Sequence, residues 1–217
     1  FRTHAIGFFR TYRSCLELAG FDGLLIRAFE EIQWMREEQI SLSASFDASV
    51  YAWNHGAVHT LKEEQAAFIT APWELNSREL EPVFEACRRE GLPAELIVYG
   101  RAPMMVSAQC ITKTVKGCSK CPSLLWMKDR TGARLPVQNH CAFCYNTILN
   151  PLPVSLHGCA DSVKRLAPEG LRLCFTIETG EETKAVLNAF AAEFIRGENA
   201  EPPFTEFTRG HFRRGVE

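Results

Sequence analysis

Short apolar runs alternating with amphipathic helical stretches constrain this chain most. FDGLLIRA, ISLSASFDAS, SVYAW, AAFITAPW and AELIVYG are of strand length. FEEIQWMREEQ, AVHTLKEEQ and SRELEPVFEACRREGLP fall between them with helical spacing, the last closed by Gly91 and Pro93. A preceding stretch, FRTHAIGFFRTYRSCLELAG, reads as a helix ended by Gly20. Strands buried on both faces read as continuous apolar runs, so the pattern predicts βαβ units on a parallel sheet. After residue 104 the pattern changes. SLLWMKDRTGARLPVQN reads as a hairpin turning at Thr131-Gly132, LRLCFTIE as one more strand and EETKAVLNAFAAEFIRG as one more helix, before an irregular tail. The expected division is 1–104 for the βα units, 105–160 for a cysteine-rich loop and hairpin, and 161–217 for the last strand, helix and tail.

In parallel α/β folds the loops after strand C-termini build the active site. That rule singles out Arg27 after GLLI, Asn54 after VYAW, Glu74 after FITAPW, and Tyr99 and Arg101 after ELIV. Arg101 suits bidentate capture of a phosphate or carboxylate. Each of them taken alone is more often a cap or a salt-bridge partner.

Cysteines carry the second signal. Five of nine, Cys110, Cys118, Cys121, Cys141 and Cys144, are spaced C-x7-C-x2-C-x19-C-x2-C. An odd total with no visible signal peptide argues for a reducing compartment, hence a cytoplasmic setting, and for metal binding over disulfides. Two C-x2-C pairs about 15–20 residues apart suit a four-cysteine zinc site. Three cysteines in a short loop plus a distant fourth suit an iron–sulfur cluster. Spacing alone leaves both metals open. A nucleophilic pair from His140 and Cys141 is disfavoured, because adjacent residues rarely align for it. There is no H-E-x-x-H, G-x-S-x-G or Walker motif.

A net charge of −2 advertises no global affinity for nucleic acid, although Lys113, Lys116, Lys120, Arg130 and Arg134 can supply a local phosphate-binding patch. No apolar run approaches the roughly 20 residues needed to span a bilayer, so no membrane partner is expected. The chain starts at Phe1 and enters helical pattern directly, as expected of a fragment of a longer protein.

YGRAPMMVSAQC, CSKC, KDRTGARLPV, CYNTILNPLPVSL and TRGHFRRGVE together resemble peptidase family U32, the collagenase-like proteases. FDGLLIRAFEEIQWM, SFDASVYAWN and ITAPWELNSREL extend the resemblance upstream, to the C-terminal portion of a member. The resemblance implies a TIM-type (β/α) barrel, of which this chain supplies later strands, with a cysteine-rich hairpin region and C-terminal appendage. It also implies a bacterial origin and a [4Fe–4S] cluster held by Cys110, Cys118, Cys121 and Cys144, with Cys141 as the alternate fourth ligand; zinc is the alternative metal. Bacterial relatives hydroxylate tRNA, rRNA or ubiquinone precursors, and prephenate is implicated in the RNA-acting ones. The favoured expectation is therefore an Fe–S-dependent RNA hydroxylase, with tRNA or rRNA as substrate and a small carboxylate such as prephenate as co-substrate. A peptidase and a zinc-stabilised RNA-binding module are the alternatives. A partial barrel leaves strand edges that invite homodimerisation.

Overall fold

The computed structural model describes residues 7, 9–118, 120 and 124–214. The chain divides into two compact units. One contains residues up to Ile97, Cys159–Arg172 and the chain from Gly210; the other contains Val98–Gly158 and Leu173–Arg209.

The first unit alternates helices and parallel strands. Helix α1 (Arg13–Leu18) is followed by β1 (Gly23–Ile26), α2 (Phe29–Glu37), β2 (Ser43–Phe46), α3 (His55–Glu63), β3 (Ile69–Thr70), α4 (Ser77–Glu90) and β4 (Ala94–Gly100). The strands β1, β2, β3 and β4 lie side by side in chain order, all parallel. That singly wound order is a parallel half-barrel sheet alternating with helices. Local chemistry sets the helix ends. Asn54 caps α3 by accepting the Ala57 N–H, and Asn76 with Glu79 forms a capping box at α4. Gly91, at φ +59°, ends α4 in the left-handed conformation that glycine adopts without strain. The core gathers Phe46, Val58, Leu61, Ile69, Leu80 and Phe84, all at most 2% exposed. Helix α6 (Ala160–Leu166) and the first part of β10 (Gly170–Cys174) complete this unit.

The second unit holds an antiparallel sheet in the order β5 (Pro103–Ser107), β8 (Tyr145–Leu149), β7 (Arg134–His140), β6 (Leu124–Lys128). Helix α5 (Ile111–Lys116) follows β5, and β9 (Val154–Ser155) pairs antiparallel with the end of β4 at Tyr99 and Gly100. Helix α7 (Gly180–Phe190), capped by Thr179 and Glu182, runs on as a π-helical segment to Arg196. β6 and β7 form the expected hairpin, with Gly132 at φ +94° in its turn.

Two local readings differ from the sequence expectation. SVYAW is no strand: Ala48–Val50 is a 3₁₀ turn, because the Asp47 carboxylate caps the Ala48 N–H, and Tyr51 adopts φ +56°. The strand in LRLCFTIE stops at Cys174. Beyond it the Glu178 carboxylate takes the N–H groups of Thr176 and Ile177, which a ladder would have used.

Candidate functional site

Strand register brings four side chains of the first unit into one row. Ile26 pairs with Phe46, Phe46 with Ile69, and Thr70 with Glu95. One step along, Arg27, Asp47, Thr70 and Glu95 therefore stand level on the opposite sheet face from buried Phe46 and Ile69. They are joined. Arg27 Nε lies 3.0 Å from Asp47 Oδ2, and Arg172 Nη1 donates to Asp47 Oδ1 at 2.8 Å. Arg172 Nη2 also pairs with Glu95 Oε1, which accepts the Thr70 hydroxyl at 2.7 Å. The Asp47 and Arg172 side chains are 13% and 20% exposed, whereas Arg27 is 64% exposed. Arg27 is thus the arm of this network that reaches solvent, and its guanidinium retains donors for an anionic ligand.

Arg27 was legible at a strand end, but Asp47, Thr70, Glu95 and Arg172 were missed. Asp47 ends β2 in the same way, and the strand-end rule would have found it had SFDAS not been read as strand throughout. Asn54 is exposed, and its Oδ1 accepts the Ala57 N–H at 3.0 Å, which makes it a helix cap. Glu74 follows β3 and is half-buried; its Oε2 is buried with no hydrogen-bond partner among the described residues. Among the described residues neither joins the Arg27 row.

Tyr99 and Arg101 belong to the second unit and meet on one carboxylate. The Tyr99 hydroxyl donates to Glu178 Oε1 at 2.9 Å, and Arg101 Nε lies 3.8 Å from the same oxygen. Arg101 Nη1 donates to the carbonyls of Asn150 and Pro151. Burial first, then the hydrogen bond and charge of Glu178, push the Tyr99 phenol well above its ordinary value. Phe175, Phe190 and Phe204 pack around the Tyr99 ring at 5.6, 5.9 and 5.5 Å. In this arrangement Arg101 anchors the 150–151 backbone and neutralises Glu178. No pattern in the sequence marked Glu178, a loop acid far from Tyr99 along the chain.

Two of the cysteines, Cys110 and Cys141, are joined by an unforeseen residue, Asn139. Cys110 caps α5, its Sγ accepting the Lys113 N–H at 3.4 Å. Asn139, on β7 and 5% exposed, sends Nδ2 to Cys110 Sγ at 3.8 Å and to the Thr112 hydroxyl at 3.2 Å. Its Oδ1 accepts from Cys141 Sγ at 3.3 Å. One buried amide thereby brings together the first and fourth cysteines of the series. Cys144 closes the β7–β8 turn at φ +54°, exposed, with its Sγ 3.9 Å from the Cys141 carbonyl. Cys118 is exposed beyond α5, and Cys121 lies outside the described residues.

No disulfide joins the described cysteines, and no three His, Cys, Asp or Glu side chains among the described residues converge as a metal cage. The donor set nevertheless fits a soft metal, since cysteine sulfurs suit zinc or an iron–sulfur cluster and two N–H groups already point at Cys110 Sγ. Lys113, Lys116, Lys120, Arg130 and Arg134 are all exposed. No helix among the described residues is long and apolar enough to cross a membrane.

The model of peptidase family U32 matches residues 2–150, more than half of the chain. Comparison with curated proteins and with solved structures returned no match. The matched span takes in the parallel strands, Tyr99 and Arg101, and all five clustered cysteines, so the chain belongs to peptidase family U32.

Proposed function

We propose that this U32 chain is part of an iron–sulfur-dependent hydroxylase acting on RNA bases. The observation that supports the reading is the Asn139 bridge. It gathers Cys110 and Cys141, separated along the chain by a helix and a hairpin, onto one amide. Cys110, Cys118 and Cys121 would hold a [4Fe–4S] cluster, with Cys141 as the fourth thiolate in preference to Cys144 on the strength of that contact. Such a cluster supplies one-electron chemistry when bound.

The chain's own residues prepare the site. Lys113 N–H and Asn139 Nδ2 hold Cys110 Sγ, and Asn139 orients Cys141. In the first unit Arg27, steadied by Asp47, is the residue suited to a small carboxylate co-substrate, since its exposed guanidinium keeps donors in hand. β1 to β4 would serve as consecutive strands of a TIM-type barrel whose strand-end loops carry these residues.

Visible absorption tests the reading. Anaerobically purified protein is expected to be brown, absorbing near ~400 nm, and Cys110→Ala and Cys118→Ala should bleach it. A colourless protein that cleaves peptides, unaffected by changing Cys110, Cys118 and Cys121 together to Ala, would support proteolysis instead and sink the proposal.

A further inference from the structure

We infer that the β6–β7 hairpin is a surface that holds a single-stranded RNA segment, an inference that rests on the RNA reading above. Its first basis is charge. Between Val98 and Gly158 the sequence carries seven lysines and arginines against a single carboxylate, Asp129, in a chain whose net charge is −2. Asp129 is turned into its own loop, where it accepts the N–H groups of Thr131 and Ala133 at 2.8 and 2.9 Å and the Thr131 hydroxyl at 2.8 Å. Lys128, Arg130 and Arg134 are exposed, and among the described residues none of them makes an ion pair.

The second basis is an exposed ring among those charges. In the hairpin register Trp126 faces Pro136 and Lys128 faces Arg134, so the indole and both cations share one face. Trp126 is 47% exposed, and the Arg134 guanidinium lies 5.0 Å above its ring. An acidic peptide would use the charges and leave the indole idle. A nucleotide chain uses both: a base stacks on Trp126 while phosphates meet Lys128, Arg130 and Arg134. Stacking accepts any base, so this surface would position a strand without reading its sequence.

Titration of the full chain with a fluorescent 12-residue oligouridylate tests the inference. Trp126→Ala should weaken binding about tenfold, with most of the affinity restored in Trp126→Phe. Lys128→Gln and Arg130→Gln should each lower the salt slope by about 0.7. The variants' urea midpoints should match wild type, separating lost binding from lost folding. The Cys118→Ala protein should bind the oligonucleotide as wild type does, which makes this outcome independent of the cluster. Wild-type protein that holds no iron yet shows Trp126-dependent binding would count against the hydroxylase reading alone. Binding unchanged in both Trp126→Ala and Arg134→Gln would overturn the inference, as would equally effective displacement by polyglutamate.

Discussion

Asn139 is the residue that draws two of the clustered cysteines together. Its amide touches Cys110 Sγ, Thr112 Oγ1 and Cys141 Sγ from a position 5% exposed. Asn139→Ala leaves half-buried polar partners unpaired and should lower stability by about 1 kcal/mol, read from urea unfolding. In metal-free protein, mild oxidation should cross-link Cys110 to Cys141 in preference to Cys144, and peptide mapping would show that selectivity lost in Asn139→Ala. Tyr99 offers a pH test. Its phenol is held above the ordinary value of 10.0 by burial and Glu178, so the folded state favours the neutral form. That contribution is fully present below about pH 10 and fades as pH rises toward the folded-state value. Tyr99→Phe should therefore flatten the alkaline limb of the stability profile, measured as unfolding midpoint against pH. Spacing made the cysteines legible in the sequence, but one asparagine in a strand leaves no periodic trace. Asn139 needed the fold to be seen.

At the scale of elements, capping chemistry accounts for much of what the sequence allowed to be read. Asn76 accepts the N–H groups of Arg78 and Glu79 and Glu79 reaches back to Asn76, so α4 begins where SRELEP begins. Asn76→Ala should cost about 1 kcal/mol. The thermal midpoint should fall by about 2–4 °C, as calorimetry would record. Gly91 and Gly132 ended a helix and turned a hairpin where expected, since both occupy left-handed backbone. The failures were at strand ends. SVYAW has strand composition, yet Asp47 and its contacts to Arg27 and Arg172 take the chain out of the sheet first. Periodicity cannot register a long-range ion pair, and that same pair defines the Arg27 row.

For the molecule as a whole, family and chain order agree: parallel strands β1 to β4 follow one another with a helix between each, within the span matched to peptidase family U32. Within the first unit Arg172 ties the row together through Asp47 and Glu95. Arg172→Met leaves two largely buried carboxylates without their shared cation and should cost about 3 kcal/mol in chemical unfolding. The alternation of apolar runs and helices revealed the sheet, whereas Arg172 lay hidden in LRLCFTIE as one charge among apolar neighbours. The central claim is that the cysteine series holds an iron–sulfur cluster. Anaerobic iron and sulfide quantification on freshly purified protein and on Cys118→Ala tests it most directly. The account predicts about four irons and four sulfides per chain in the wild type and their loss in the variant; one zinc per chain without iron, or iron retained in Cys118→Ala, would contradict it.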